Sequence, residues 1–453
     1  MRTDATIVAP ATPRGESGLA VIRLSGDRAE SILRRIFRPA RPLDSFESHR
    51  LYYGHAVDGS EVVDEVMAVL MRAPKTFTRE DVAEIHCHGG PLPVSRIVAL
   101  CLRQGAVMAR PGEFTLRAFL NGRLDLAQAE AVAGIIHARS EAAGRAALGQ
   151  LEGRLSSRLR VLKKDLVELL AHLETHIDFV EEDIDLPDQD KWCERVAAVR
   201  RQVEEIAATY TSGRMLKDGV RVLILGKPNV GKSSLLNCML GESRAIVSEW
   251  AGTTRDTIEE NLVLNGFPLR LIDTAGIRQT EDPVEKEGVE RARQKIRSAD
   301  LVLFLVDGSR PIDDDDRLVF DFCPSERTLL VVNKIDLQQS PLPSWLSGLP
   351  RVSIGARDHI GIDRLGDALC RLLGDDRGDA GESLLVYESR HYQALLHCSQ
   401  ALDRLLQSLE QGESPEFLAV DLQDALRSLG EITGETTPDD VLDTIFSQFC
   451  IGK

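Results

Sequence analysis

The stretch Arg221–Asn237, which reads RVLILGKPNVGKSSLLN, decides the fold of the middle of this chain. An apolar run, a glycine loop and the start of a helix follow one another, and Gly226 to Ser233 match G-x-x-x-x-G-K-[ST] in that context. The glycines let backbone N–H groups close around phosphates. We expect Lys232 to reach the β- and γ-phosphates of a nucleotide and the Ser233 hydroxyl to bind Mg²⁺. This predicted phosphate-binding loop, the P-loop, contributes Asn229, Val230, Gly231, Lys232, Ser233 and Ser234.

The next apolar strand, LRLIDTAG, predicts a second set of phosphate contacts. Asp273 ends the strand and Gly276 follows three residues later, so that the carboxylate can hold Mg²⁺ through water and the glycine amide can meet the γ-phosphate. The predicted contacts are Asp273, Thr274, Ala275 and Gly276. Just upstream, Asn265-Gly266 between two apolar runs predicts a hairpin. An antiparallel pair joined to an otherwise parallel sheet indicates a Ras-like G domain.

The segment TLLVVNKID predicts which base is bound. Asn333, Lys334 and Asp336 follow a buried strand. The Asp336 carboxylate can accept two hydrogen bonds from guanine, whereas adenine has no donor there and leaves a buried charge unpaired, a mismatch that discriminates strongly. The motif therefore predicts GTP rather than ATP. After the strand in RVSIGA, we expect Gly355 and the backbone of Ala356 to complete the base contact.

Hydrolysis needs a group that positions water, and the usual one is replaced here. Ras-type enzymes place a Gln directly after the D-x-x-G glycine, but this chain has Ile277, which can neither orient nor deprotonate water. Thr253 or Thr254 of AGTTRDT can contact the γ-phosphate, and Thr254 can join Ser233 in the Mg²⁺ shell. The sequence offers no evident arginine finger, so another cation must act, and the Asn229 amide oxygen can bind a monovalent ion. The water-positioning group must come from Gln279, Glu281, Asp282 or Glu285.

Composition bounds where the protein works. The chain has 453 residues, which suggests about three domains. No apolar run approaches the length of a membrane span, no export signal opens the sequence, and the eight cysteines lack paired spacing. A net charge of −16 argues against a surface coated for non-specific nucleic-acid binding, although it leaves room for a local basic face. We therefore expect a cytoplasmic protein with reduced thiols and no membrane contact.

Patterning along the chain predicts a multidomain protein. Residues 1–118 indicate an α/β domain, 119–215 are helical, 216–376 alternate strands and helices, and 377–453 are helical again. Because helical regions flank the α/β block, we expect a discontinuous α-helical domain with the Ras-like α/β P-loop G domain inserted into it. Leucines at spacings of three and four predict a stripe on one long helix, for bundle packing or for a coiled coil. They are Leu148, Leu151, Leu155, Leu159, Leu162, Leu166, Leu169 and Leu173.

Six stretches spread over the whole chain carry a family resemblance. They are ATIVAPATP (5–13), IRLSG (22–26), RAPKTFTREDVAEIHCHGG (72–90), RPGEFTLRAFLNGRLDLAQAEAV (110–132), GTTRD (252–256) and CIGK (450–453). The combination resembles the MnmE (TrmE) family of tRNA modification GTPases. The resemblance implies a homodimer that forms a heterotetramer with an FAD-containing partner, MnmG (GidA). It implies that the complex adds an aminomethyl or carboxymethylaminomethyl group to carbon 5 of the wobble uridine of certain tRNAs. The one-carbon unit comes from a tetrahydrofolate derivative (5-formyl or 5,10-methylene).

The resemblance also implies roles for individual residues. An N-terminal folate-binding and dimerisation domain is expected to contact folate through Arg23, Glu80, Arg123 and Lys453. The G domains are expected to pair across the nucleotide when K⁺ is bound by Asn229, Ser248, Trp250 and Thr253. Ser248 and Thr253 are also expected nucleotide contacts. Glu285 is expected to orient water, and Cys450 to act as an active-site thiol that the nearby Lys453 makes more acidic.

Three functions stay open on the sequence. The first is the tRNA modification GTPase, which the folate-like N-terminal domain and Cys450 favour. The others are a ribosome-assembly GTPase that grips RNA and a folate-dependent methyltransferase that carries a GTPase. Residues 139–164 hold seven basic and two acidic side chains, which can meet RNA phosphates or form a solvated surface. His86 and His88 share one strand face, where we expect core or folate-site packing, because two ligands make no metal site.

Overall fold

The fold is taken from a computed structural model. The structure describes residues 5–13, 15–178, 189–243, 260–264, 267–272, 295–372, 385–447 and 449–453. Strands β1 to β13 are Ile7–Pro10, Ser17–Ser25, Phe37–Pro39, Arg50–Asp58, Glu61–Met71, Val82–Gly89, Val107–Met108, Val220–Leu225, Glu260–Leu264, Phe267–Ile272, Leu301–Asp307, Thr328–Asn333 and Arg351–Ser353. Helices α1 to α14 are Ala29–Ile36, Pro91–Arg103, Glu113–Leu120, Leu126–His137, Glu141–Leu151, Arg154–Asp178, Gln189–Ala208, Tyr210–Asp218, Lys232–Ser243, Asp314–Phe320, Ile362–Leu372, Ser389–Gln411, Pro415–Thr433 and Asp439–Ser447.

The chain forms two compact units. The first contains Met1–Ala133, Gln150–Val199 and His397–Lys453, and the second contains Gly134–Gly149 and Arg200–Leu396. Both units are therefore built from segments that lie far apart in the sequence.

A seven-stranded sheet organises the first unit, in the order β3-β4-β5-β6-β2-β1-β7. Its strands are antiparallel except for β1 and β7, which run parallel. Along β2, Ile22 and Leu24 point into a core that also contains Ile32 of α1 and Ile97 of α2, because side chains two apart on a strand share one face. Helix α2 ends before Gly105, whose φ of 91° does not continue a helix.

The leucine stripe occupies helix α6 alone. Six of its leucines are fully buried there, which confirms the predicted packing face: Leu155, Leu159, Leu162, Leu166, Leu169 and Leu173. The prediction of one long helix is wrong at its start. Gly153, with a φ of 84°, separates α5 from α6, and Leu148 on α5 is 48% exposed. A left-handed residue cannot continue an α-helix, so the stripe begins after it.

Two helices that lie far apart in the sequence pack together in the first unit. Helix α6, which precedes the P-loop, contacts α13, which follows the last strand by more than sixty residues. The Lys163 side chain of α6 pairs with Glu435, just beyond α13. Two helical stretches that flank the second sheet in the sequence are therefore in contact within the first unit.

The second unit is built on a six-stranded sheet in the order β13-β12-β11-β8-β10-β9. All its pairs are parallel except β9 with β10, where Leu264 pairs with Phe267. The predicted antiparallel pair is thus confirmed, while Asn265 and Gly266 lie outside the described residues. The P-loop follows β8, in the interior of the sheet, at the carboxyl end of the strand. Ligands of open α/β sheets bind at this edge.

Candidate functional site

The P-loop has the backbone that the glycine pattern predicts. Gly226, Asn229 and Gly231 all adopt positive φ angles, of 153°, 65° and 102°. A Cβ on Gly226 would lie 2.3 Å from the Leu305 carbonyl oxygen, and one on Gly231 would lie 2.2 Å from Nδ2 of Asn333. Both glycines are therefore required by contacts with neighbouring strands as well as by their dihedral angles.

Lys232 begins helix α9 and folds back over the loop. Its Nζ donates to the carbonyl oxygens of Gly226 at 2.7 Å and of Lys227 at 2.8 Å. Burial lowers the pKa of Lys232, because the ammonium ion has lost water and gains no carboxylate among the described residues. An anion at the mouth of the loop would supply the missing countercharge, as expected of a phosphate site. Ser233 and Ser234 follow in the first turn of α9, both exposed.

Asn333 joins the P-loop to the predicted base-binding loop. Its side chain is 3% exposed and uses both ends of the amide. Nδ2 donates to the Val230 carbonyl at 2.9 Å, and Oδ1 accepts from the Ala356 amide at 3.1 Å. Three segments that are distant in sequence therefore meet at one buried side chain. Gly355 is held beside Ala356 by its bridge with Ile360.

Lys334 and Asp336 surround the same loop. Lys334 has a φ of 64° and donates through Nζ to Oδ2 of Asp307 at 2.6 Å. Burial opposes ionisation of Asp307, but hydrogen bonds from Lys334 and Ser309 outweigh it and lower the pKa of Asp307. Sequence reasoning missed Asp307, although it ends the apolar strand LVLFLVD as Asp273 ends its own. Asp336 is exposed, so its carboxylate is open to a ligand.

Part of the predicted nucleotide and K⁺ set cannot be placed. Asn229 is exposed on the P-loop. Nine further predicted members lie outside the described residues: Ser248, Trp250, Thr253, Thr254, Asp273, Thr274, Ala275, Gly276 and Glu285. For these residues the roles stay predictions.

In the first unit, Glu80 belongs to a cluster around a buried arginine that sequence reasoning missed. Arg117 of α3 is 3% exposed and donates to Glu80 at 3.0 Å and to Glu113 at 3.0 Å. It also donates to the carbonyl oxygen of Ala5 at 2.8 Å. Ser25 donates through Oγ to Glu80 at 2.7 Å. We call Ser25, Glu80, Glu113 and Arg117 the arginine cluster; the i, i+4 spacing of Glu113 and Arg117 is the signal that was available.

Arg23 lies on strand β2, opposite Glu84 of β6. Its Nε donates to Glu84 at 2.7 Å, and its guanidinium lies 5.8 Å from the centre of the Phe114 ring. Arg123 follows a different course. It donates to the Phe77 carbonyl at 2.9 Å and stacks over the Phe77 ring at 4.8 Å. Phe77 and Phe114 pack in one small apolar cluster, so the two arginines lie on neighbouring aromatic rings.

The C-terminal tail, residues 449–453, lies against this part of the first unit. Phe449 is buried beside Phe446, and the Gly112 amide donates to the Cys450 carbonyl at 3.4 Å. The Phe114 amide donates to the Lys453 carbonyl at 3.2 Å. The Cys450 residue is exposed and Lys453 is half-buried. Phe114 therefore contacts the Arg23 guanidinium through its ring and the tail through its amide.

The two histidines of HCHGG behave differently from the packing prediction. His86 is half-buried, with Nε2 3.5 Å from Glu84. His88 is exposed and its Nδ1 lies 2.7 Å from Asp64, a hydrogen bond that raises the pKa of His88. The prediction of core packing is therefore wrong for His88. Its ring instead joins β6 to Asp64 of β5 at the surface. Over the described ranges, no three His, Cys, Asp or Glu side chains gather as a metal site would need.

The basic stretch 139–164 is less free than its composition indicates. Lys163 pairs with Glu435, Lys164 lies 3.9 Å from Glu168, and Arg154 lies 3.5 Å from Glu152. Arg145 lies 3.5 Å from Glu141. Local carboxylates thus offset much of the positive charge on this stretch, which favours the solvated-surface interpretation. None of the helices in the described ranges is both long and apolar enough to span a bilayer.

Comparison with known proteins places the chain in one family. Residues 6–123 match the family model described as "GTP-binding protein TrmE N-terminus", and residues 126–450 match that described as "MnmE helical domain". A protein named tRNA modification GTPase MnmE from Syntrophotalea carbinolica is 53% identical over 456 residues, which cover both chains completely. Proteins of the same name from Geobacter sulfurreducens and Geobacter metallireducens are 50% and 48% identical, again over 100% of each chain. The chain therefore belongs to the MnmE (TrmE) family of tRNA modification GTPases.

Proposed function

We propose that this GTPase binds GTP and Mg²⁺ at the P-loop and hydrolyses GTP when K⁺ is bound. The observation that carries the proposal is the Asn333 side chain, which ties the phosphate loop to the base loop through Val230 and Ala356. A nucleotide that spans both loops then meets a prearranged site, so little ordering is left for binding. Ser233 would hold Mg²⁺, as a hydroxyl at the start of α9 suits a hard cation.

Potassium is proposed to replace the missing arginine finger. Asn229 is exposed on the P-loop, where an amide oxygen suits an alkali cation, and Ser248, Trp250 and Thr253 complete the proposed set. Thr254 joins Ser233 at Mg²⁺, and Glu285 positions the water. The G domain spans residues 216–376, between helical parts at 119–215 and 377–453, and follows an N-terminal domain at 1–118.

The N-terminal domain is proposed to bind a tetrahydrofolate derivative, 5-formyl or 5,10-methylene. Arg23, Glu80, Arg123 and Lys453 would contact it, and the exposed Cys450 would be its neighbouring nucleophile. Support comes from the tail, whose Lys453 and Cys450 carbonyls accept from amides at the start of α3. A free terminal cysteine without a role would not need this docking.

The tRNA reaction is proposed to require two further partners. In the cytoplasm, a homodimer would join the FAD-containing protein MnmG in a heterotetramer. That complex would add an aminomethyl or carboxymethylaminomethyl group to carbon 5 of the wobble uridine. The tRNA contact is not assigned to residues 139–164, because four of their seven basic side chains lie within 4.0 Å of carboxylates.

Two measurements test the proposal. GTP turnover of the full chain is compared in KCl and in NaCl at equal ionic strength, and we expect turnover to fall strongly in NaCl. Equal rates would overturn the K⁺ role. Mass spectrometry of tRNA then compares cells that lack the protein with cells that carry the wild-type chain or Cys450→Ser. We expect the modified wobble uridine only with the wild-type chain; full modification with Cys450→Ser would overturn the role of the thiol.

A further inference from the structure

A cavity of about 490 Å³ lies beside the arginine cluster in the first unit. Its apolar lining comes from Met71, Pro74 and Phe77. Thr76 and three cationic side chains, those of Lys75, Arg79 and Arg123, complete the wall. We call this the cationic cavity. An apolar lining combined with several cations is suited to a ligand that carries both methylene groups and negative charges.

Among the described residues, the three cations have no carboxylate partner. Within the described ranges, none of Lys75, Arg79 and Arg123 forms an ion pair, whereas nearby Arg72 is paired with both Glu30 and Asp81. Arg79 and Arg123 use one nitrogen each on backbone carbonyls, those of Asn121 at 2.9 Å and of Phe77 at 2.9 Å. These bonds fix the guanidinium groups in place and leave other donors available.

The cations also repel one another. Burial lowers the pKa of Arg123, and the charge of Arg79 lowers it further. Arg79 is held close despite a left-handed backbone, with a φ of 59°. Like charges that are kept together without a partner are stabilised by an anion placed between them. The arrangement is therefore suited to a ligand with more than one negative charge.

The cavity shares Arg123 with the proposed folate contacts. Glu80 follows Arg79 directly in the chain, and the Thr76 hydroxyl donates to the Glu80 carbonyl at 2.6 Å. One loop thus directs Glu80 toward Arg117 and Arg79 toward the cavity. Phe77 joins Phe114 in an apolar cluster, which connects the cavity to the ring beneath Arg23. A ligand that contacts Arg123 at the proposed folate site would therefore also contact the wall of the cavity.

We propose that the cationic cavity binds the chain of γ-linked glutamates that extends a folate. This inference rests on the folate binding proposed above. Each glutamyl unit adds one carboxylate and two methylene groups, which match the cations and the apolar lining. Arginine pairs well with carboxylates because its donors are arranged as a fork. An RNA backbone would use the charges but would leave the apolar lining without a partner.

The test compares two folates on the full chain. Dissociation constants of 5-formyltetrahydrofolate with one and with five γ-linked glutamates are measured by calorimetry for the wild type and for Lys75→Gln/Arg79→Gln. The control is Arg41→Gln, an exposed arginine of the same unit outside the cavity. We expect the wild type and the control to bind the pentaglutamate about tenfold more tightly, an advantage that shrinks with added salt. The double variant should lose most of this advantage and keep its monoglutamate affinity within about twofold.

Several results would overturn the inference. Equal affinities for the two folates in the wild type would remove it while leaving the folate part of the proposed function intact. Failure of both folates to bind would remove both. If the pentaglutamate advantage survives in the double variant, the glutamate chain binds elsewhere. If the double variant loses affinity for tRNA but binds both folates as the wild type does, the cations contact RNA phosphates. If the double variant does not fold, the single Lys75→Gln variant and the salt dependence of the wild type decide.

Discussion

The P-loop and the arginine cluster hold their parts together by different means. In the P-loop, the contacts are peptide groups: Lys232 binds two carbonyls, and Asn333 binds one carbonyl and one amide. In the arginine cluster, a single buried guanidinium binds two carboxylates. The first site depends on backbone shape and the second on charge balance.

The difference has an energetic consequence. A site built from peptide groups keeps most of its partners when one side chain is lost, since water or neighbouring groups replace a single hydrogen bond at modest cost. A site built on one buried cation leaves two carboxylates without their buried counter-ion when that cation is removed. The arginine cluster should therefore be the more fragile of the two to a single substitution.

The largest effect is expected for Arg117→Met. Glu113 would keep a buried carboxylate and Glu80 a half-buried one without their guanidinium, so the free energy of unfolding of the first unit should fall by about 3–5 kcal/mol. Urea unfolding measures it. Arg110→Met is the control, because Arg110 is exposed and lies 3.7 Å from the same Glu113; it should cost less than about 1 kcal/mol. Equal losses would show that burial does not set the fragility of the cluster.

Next in size is Asn333→Ala, which breaks the link between the two nucleotide loops. Two hydrogen bonds are lost and the Val230 carbonyl and Ala356 amide are left unpaired, so GTP affinity should weaken by about 30- to 100-fold, or about 2–3 kcal/mol. Equilibrium binding of a fluorescent GTP analogue measures the change. Gln407→Ala, at an exposed position on α12, should leave the affinity unchanged. A loss below threefold would mean that contacts other than those of Asn333 hold the two loops together.

A smaller effect is expected for Gly452→Ala in the C-terminal tail. Gly452 has a φ of 94°, and a Cβ there would lie 2.2 Å from the Pro10 carbonyl oxygen. The free energy that keeps the tail docked should fall by about 1–3 kcal/mol. The Gly112 and Phe114 amides should then exchange hydrogen faster. Gly412→Ala is the matched control, because Gly412 also has a positive φ, of 67°, but nothing lies within 4 Å of its Cβ position. Unchanged exchange at Gly112 and Phe114 would contradict the docking of the tail.

The smallest effect should come from His359→Ala in the base loop. Nδ1 of His359 lies 3.1 Å from Sγ of Cys238 on α9, a contact that holds the loop after β13 against the helix of the P-loop. Its loss should weaken GTP binding by about two- to fivefold, whereas His359→Asn, which keeps an acceptor near Nδ1, should stay close to wild type. A double-mutant cycle with Cys238→Ala checks the coupling. Additive effects would show that the two side chains act independently.

Local patterns in the chain were enough to predict several features. The glycines at 226 and 231, the lysine at 232 and the antiparallel pair β9–β10 follow from residues next to one another, so their interpretation needed no tertiary contact. The buried leucines of α6 follow from their spacing in the same way. The helix boundary at Gly153 was missed because a single glycine inside a leucine pattern does not reveal whether the chain adopts a left-handed turn there.

Long-range partners were beyond the reach of pattern reasoning. Asp307, Arg117 and the Glu435 partner of Lys163 were not anticipated, because each contact joins residues on separate elements. The short-range signals in this chain therefore predicted its family, the P-loop and a guanine-selecting motif. Only the tertiary structure revealed how buried charges pair and where Cys450 lies beside α3. It also revealed that the cavity cations have no carboxylate partner among the described residues. The physical reason is that peptide geometry is set by neighbours in sequence, whereas desolvation and charge balance are set by neighbours in space.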